Sequence, residues 1–227
     1  MLYRDINIKE LYQAILNDEY MEEEQKDNMN IELYEPSGLV EFINRNIYGN
    51  NVLEIGCGTG KSFEVFPITY AIEPCKKRYE IAVENIYGVE VRQGVVECIP
   101  FNNIDTVLCI GTWNQIRSDY EALIEVNNSL NDNGIFIFDI WSDDVDLVVG
   151  RSYGPRNYIR MVKDFGFELV EVREFSFFSK WRQSMATRYG IAVRKVHQFD
   201  YHYLMKPQVT SKDRIRNFHP NRDADLL

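Results

Sequence analysis

The chain has 227 residues, of which 45% are hydrophobic and 13% aromatic, and it carries a formal net charge of −10. That length supports one sizeable core with appendages, and the acidic balance argues against a general nucleic-acid binder, which needs a basic surface to displace counterions from phosphates. No stretch approaches the ~20 apolar residues of a membrane span, and Arg4, Asp5, Lys9 and Glu10 stand where a secretory signal needs an apolar core, so a cytoplasmic protein with no membrane partner is expected.

The first elements in chain order are helical. Ile6, Ile8, Leu11, Tyr12, Ile15 and Leu16 recur at near-helical spacing, and the polar run NDEYMEEEQKDNMN follows, which predicts an amphipathic helix and a link. Ser37 is placed to cap a short helix through Asn44 or Arg45, ended by the turn Gly49-Asn50-Asn51. Residues 1–46 are therefore read as an N-terminal helical extension or lid, with Tyr12, Tyr20 and Tyr34 available to cover a cleft.

A regular alternation follows. The strand-like runs NVLEI, TYAIE, VEVRQ, IDTVLCI and GIFIFDI are separated by helix-like stretches at about 62–66, 76–86 and 117–130. That pattern predicts a parallel sheet wound with helices on both faces. A helix near 155–164, a strand at FGFELVEVREF, an unassigned segment near 176–197 and a last strand at HQFDYHYLMKP complete a core read as 47–207, with a weakly ordered tail at 208–227.

Two compositional features bear on chemistry. Cys57, Cys75, Cys98 and Cys109 stand singly, with no CxxC pair and no neighbouring His, so reduced thiols and no metal site are expected. The first fifty residues set four basic residues against eleven acids, whereas Arg173 to Arg222 holds eleven basic residues against Glu174, Asp200 and Asp213. That asymmetry describes either two solvated faces or a basic rim beside a site for an anionic substrate.

The sharpest signal is VLEIGCGTG, residues 52–60. A strand running into a glycine turn receives a nucleotide-like ligand at the carboxyl end of an open sheet, and glycine lets backbone and ligand approach closely. Dinucleotide sites use GxGxxG to rest a pyrophosphate on a helix N-terminus. Here the spacing is Gly56-x-Gly58-x-Gly60 with Glu54 two positions ahead, and an acid at the mouth suits a ligand bearing an ammonium group.

On these residues the chain resembles the class I SAM-dependent methyltransferases, in the small-molecule, type 11-like branch with the E/DxGxGxG signature. Further stretches carry the resemblance: YAIEP with Glu73, RQGVVECIPF, NIDTVLCIGTWNQI and SLNDNGIFIFDIW, together covering about residues 50–141. It implies a single Rossmann-like α/β fold with a seven-stranded, mostly parallel sheet whose last strand is antiparallel. S-adenosyl-L-methionine is the implied cofactor, held by Glu54, Gly56, Cys57, Gly58, Gly60, Glu73, Pro74, Val95, Val96, Glu97, Ile110 and Gly111. Glu73 is positioned to accept both ribose hydroxyls, and Val95 stands where the family commonly has an Asp toward the adenine amino group.

The acceptor is less defined. Trp113, Asn114, Trp141 and Tyr34 are the expected substrate residues, and Asp139, closing the fifth strand, is the candidate base or orienting group. Nucleic-acid amino methyltransferases of this class carry a [DNS]PP[YF] box where this chain reads GTWN, which points to a small-molecule acceptor. Two alternatives stand beside it: a SAM-binding member that transfers no methyl, and an RNA-directed enzyme using the basic, aromatic stretch from 173 to 222.

Overall fold

The computed structural model describes residues 38–85, 88–116, 118–141, 154–179 and 184–199. It opens on helix α1 (Leu39–Asn46), then β1 (Val52–Ile55), β2 (Tyr70–Glu73), α2 (Lys76–Asn85), β3 (Glu90–Gln93), β4 (Ile104–Cys109), α3 (Asp119–Ser129), β5 (Leu130–Trp141), α4 (Pro155–Asp164), β6 (Phe167–Ser179) and β7 (Ser184–Lys195). Short 3-10 turns at Lys61–Glu64, Val96–Cys98 and Trp113–Gln115 follow β1, β3 and β4.

The seven strands form one sheet in the order β3-β2-β1-β4-β5-β7-β6. β1 to β5 run parallel, and β7 is antiparallel to both β5 and β6. Chain order reverses between β1 and β4, so their carboxyl ends flank a crevice that no crossover covers, which is where open α/β sheets bind ligands.

Alternation along each strand feeds two cores. Leu53, Ile55, Val107, Cys109, Phe136 and Phe138 face α3 and α4, while Val52, Leu108, Ile135 and Ile137 face the layer holding α1 and Ala82 of α2. Both faces are covered, so β1 is buried at every position and reads as a continuous apolar run rather than an alternating one.

α1 lies inside the range expected for a terminal extension, yet its Leu39, Phe42 and Ile43 are wholly buried. The ring of Phe42 lies directly on Gly190 of β7, where a Cβ would come 2.7 Å from Phe42 Cε1. Gly38 stands at the N-cap with φ 94°, so glycine rather than the expected Ser37 occupies the cap. Ser37, Tyr12, Tyr20, Tyr34 and the helix expected over 5–28 lie outside the described residues.

The last strand departs from expectation. β7 is Ser184–Lys195, inside the segment given no element, and His197–Phe199 within the expected HQFDYHYLMKP strand is not in a strand; residues 200–207 lie outside the described residues. The register pairs Trp141 with Arg188 and Ile135 with Arg194. Ile191, Ala192 and Val193 form the buried run, but Arg188, Arg194 and Lys195 around them disguise it in the sequence. Lys195 is itself buried because its ammonium donates to the carbonyls of Asn127 and Leu130 and to Gln198 Oε1, at 2.7–2.8 Å, satisfying all three of its donors.

Candidate functional site

The turn after β1 is folded back on β2. Gly56 and Cys57 N–H both donate to Ile72 O, at 2.8 and 3.2 Å, and Gly60 N–H donates to Cys57 O at 2.9 Å. Gly56 adopts φ 71° and Gly58 φ 59°, the left-handed region that side chains disfavour. A Cβ on Gly56 would lie 2.5 Å from Thr112 Cγ2 and Oγ1. The side of Gly56 that a Cβ would occupy is therefore filled by Thr112, and this glycine lets the β1 and β4 loops meet.

Glu73, at the end of β2, fastens the same turn. Its Oε2 accepts from Gly58 N–H at 2.8 Å and its Oε1 from Cys75 N–H at 3.0 Å, with the side chain 2% exposed. Each carboxylate oxygen retains a free lone pair after one amide, which a ligand diol can use. Glu54 lies buried nearby and accepts a hydrogen bond from the Ser62 hydroxyl.

Burial raises the Glu54 carboxyl to about 7, opposed by the Ser62 hydrogen bond and reinforced by the charge of Glu73. Burial likewise raises Glu73, with the Cys75 and Gly58 amides and Arg78 acting against it. The Cys57 thiol beside them is pushed up by burial and by the two carboxylates, so it is a packing group, not a nucleophile.

Around this centre the remaining expected cofactor residues assemble. Gly94 N–H donates to Glu73 O at 3.2 Å and Gln93 Nε2 to Pro74 O at 3.1 Å, which draws the β3 exit against the β2 exit. Val95, Val96 and Glu97 are all buried there. Ile110 and Gly111 leave β4 beside Thr112. Two buried carboxylates and a backbone turn on one crevice fit a ligand with a cationic end and a hydroxylated ring, as S-adenosyl-L-methionine has.

Asp139 is placed differently from a free base. Its Oδ1 accepts Gly111 N–H at 2.5 Å, and its Oδ2 accepts Arg188 Nε at 2.7 Å together with Arg188 Nη2. Both side chains are wholly buried. The Arg188 guanidinium also sits 5.2 Å from the centre of the Trp141 ring. Arg188 is the site residue that the sequence reading missed, because its partnership depends on the β5/β7 register.

The expected substrate residues separate. Trp113 is 1% exposed, its ring centre 5.3 and 5.2 Å from Phe136 and Phe138, so it is a core side chain and not an open wall. Trp141 remains partly exposed at the end of β5, 6.0 Å from Phe177. Asn114 is buried, and neither its Oδ1 nor its Nδ2 meets a hydrogen-bond partner. Tyr34 lies outside the described residues.

The described part of the basic stretch is committed elsewhere. Arg173 lies over the Phe175 ring, Arg188 pairs with Asp139, Arg194 with Glu168, and Lys195 caps carbonyls. Among the described residues no cluster suits a metal ion, and no helix is long and apolar enough to cross a membrane.

Residues 53–138 match the family model described as "Methyltransferase domain". No curated protein matches the chain by sequence. Among solved structures, the chain is similar to a SAM-dependent methyltransferase of Thermotoga maritima, described as a possible histamine N-methyltransferase (TM-score 0.57, 20% identity, 69% of this chain and 87% of the other). It is also similar to a SAM-dependent methyltransferase of Methanosarcina mazei (0.56, 14%, 68% and 97%) and to the [4+2]-cyclase SpnF (0.58, 15%, 69% and 80%). At these identities the structural likeness speaks to the fold, and the inclusion of a cyclase shows that the fold carries more than one chemistry.

Proposed function

We propose that the chain is a class I SAM-dependent methyltransferase, a reading supported by the match of residues 53–138 to the methyltransferase-domain model, and that its acceptor is a small, uncharged or cationic molecule. The observation that carries this reading is the sign of the buried charge. Glu54, Glu73, Glu97 and Asp139 are each 4% exposed or less, and Arg188, the buried cation beside them, is paired with Asp139. A crevice of that polarity attracts a cationic cofactor and repels a polyanion. The described basic residues of the 173–199 stretch are used in contacts within the fold, which removes the support that stretch would give to an anionic acceptor.

When bound, S-adenosyl-L-methionine supplies the methyl group and its own leaving group, so the protein's task is alignment. Glu73 receives the ribose hydroxyls through its unused lone pairs and keeps the Gly58 turn closed with the others. Glu54 faces the ammonium end. Val95 and Val96 give the adenine an apolar wall, and Glu97 stands two positions beyond the valine that replaces the family's usual Asp. Asp139 acts as a positioning carboxylate: with Arg188 on one oxygen and Gly111 on the other, it fixes the β4 exit along which the acceptor is held.

The test is incubation of the protein with methyl-labelled SAM and, separately, a small-molecule cell extract or total RNA, followed by mass spectrometry. Label in a small neutral or basic product is expected. Label confined to RNA overturns the acceptor class, and a protein that fails to bind S-adenosylhomocysteine by calorimetry overturns the cofactor site.

A further inference from the structure

Buried side-chain polar atoms without a partner concentrate in one short run of the described chain: Trp113 Nε1, both Nδ2 and Oδ1 of Asn114, Ser118 Oγ and Glu121 Oε2. Folded proteins pair the great majority of such groups, so a gathering of unpaired ones marks a place where something else completes them. The run lies at the carboxyl end of β4. The two residues just before it are held between the glycine turn, through Thr112 against Gly56, and the end of β5, through Gly111 against Asp139.

Asn114 is the most informative of these residues because both polar atoms of its side chain are unpaired while the backbone around it is closed. Gln115 N–H donates to Thr112 O at 2.8 Å and Ile116 N–H to Trp113 O at 3.1 Å, so the backbone of the turn is closed. The Gln115 side chain donates to Gly111 O at 3.3 Å. Among the described residues of this run, the planar amide of Asn114, 8% exposed, is the one group that presents a donor and an acceptor side by side with neither used. The complement of that edge is an acceptor beside a donor, the edge of a cis-amide, lactam or amino-azine.

We propose that Asn114 is the recognition residue for the acceptor substrate and that this substrate carries a lactam-like or amino-azine edge, which the Asn114 amide reads through paired hydrogen bonds. The inference rests on the reading of the crevice as a methyl-transfer site. It narrows that reading to neutral nitrogen heterocycles and cyclic amides, and it excludes plain hydrocarbons and carboxylates, which cannot satisfy both atoms. A ligand lacking one of the two groups leaves a buried atom unpaired, a fault that discriminates strongly between close analogues.

The test uses 2-pyridone as probe and 1-methyl-2-pyridone, whose N–H is blocked, as control, each titrated into wild-type protein with and without saturating S-adenosylhomocysteine. In ¹⁵N-labelled protein the side-chain amide pair absent from Asn114→Leu identifies Asn114. The expected result is that 2-pyridone shifts this pair and binds at least about tenfold more tightly than its methylated analogue, the step one unpaired buried group represents. Asn114→Leu should lose that preference while raising the Tm of the free protein by about 2 to 4 °C, since an apolar group replaces an unpaired polar one.

A lower Tm in Asn114→Leu, equal binding of the two pyridones, or an Asn114 signal unmoved by 2-pyridone overturns the proposal. So does an Asn114 signal that S-adenosylhomocysteine alone moves and saturates, which assigns the amide to the cofactor. If S-adenosylhomocysteine fails to bind while 2-pyridone still shifts Asn114, the methyl-transfer reading falls and the recognition edge stands.

Discussion

Arg188 Nε donates to Asp139 Oδ2 at 2.7 Å across the β5/β7 pairing, with both side chains closed to solvent. The two residues are 49 apart in sequence, and the remaining Asp139 oxygen holds the Gly111 amide. One ion pair thus ties the antiparallel end of the sheet to the loop that leaves β4 beside the glycine turn.

Breaking that pair from one side leaves a buried charge without compensation. Arg188→Met should therefore destabilise the fold by about 3 to 5 kcal/mol, while Arg188→Met combined with Asp139→Asn should recover most of the loss. Urea denaturation of the two single variants and the double variant completes the cycle. Purely additive losses would show that the two side chains do not act as a pair.

Gly190 makes a separate prediction about packing. A Cβ there meets Phe42 Cε1 at 2.7 Å and Phe175 Cε2 at 3.1 Å, and both rings belong to the core between α1 and the sheet. Gly190→Ala should lower stability by about 1 to 3 kcal/mol through overpacking. Coupling with Phe42→Leu, which makes room, should relieve part of that loss; no relief in the double variant would mean that the strand conformation, and not the ring, requires glycine.

Much of this was legible in the sequence because local signals and burial agree. The runs ending in Glu54 and Glu73, the helix over Asp119–Ser129 and the Pro155 start of α4 stand where periodicity and turn chemistry place them. β7 was hidden because its buried run is framed by Arg188 and Lys195, whose burial depends on partners distant in sequence, Asp139 and the end of α3. One reason for glycine at position 56 was hidden in the same way: the side chain that a Cβ there would meet is Thr112, on another loop. Trp113 was ambiguous because an aromatic at a strand end looks alike whether it stacks on Phe136 and Phe138 or lines a cleft. Periodicity reports which residues are buried, not which partners bury them.

Glu73 is expected to act on the ligand and on the turn together. Glu73→Ala should weaken S-adenosylhomocysteine binding by about 1.5 to 3 kcal/mol, the range for losing hydrogen bonds to a charged group. Gly58→Val should lose binding as well, because a branched side chain disfavours φ 59° and displaces the amide that Glu73 holds. Calorimetry measures both, with circular dichroism as the check on folding. Full affinity in a folded Gly58→Val protein would place the ligand elsewhere.

Glu54 links cofactor binding to pH. Its carboxyl is raised from 4.5 to about 7 in the folded chain, first by burial and further by the charge of Glu73, with the Ser62 hydrogen bond opposing. Between those two values the folded chain holds a proton that the unfolded chain has released. The free protein therefore loses stability as pH rises through that window, by something of the order of 3 kcal/mol from this group alone. Above about pH 7 the cost of a buried, charged Glu54 is present in full, and below 4.5 it is absent. A ligand ammonium reverses the preference, because it interacts favourably only with the ionised form. S-adenosylhomocysteine affinity should accordingly rise about tenfold from pH 6 to pH 8, as Glu54 goes from mostly protonated to mostly ionised. Glu54→Gln removes the titration: its free form should be more stable than wild type at pH 8, and its weaker affinity should be flat across the same range. Calorimetry at pH 6, 7 and 8 and thermal unfolding of the free proteins supply both readouts. A wild-type affinity that does not change between pH 6 and pH 8 would separate Glu54 from the cationic end of the ligand.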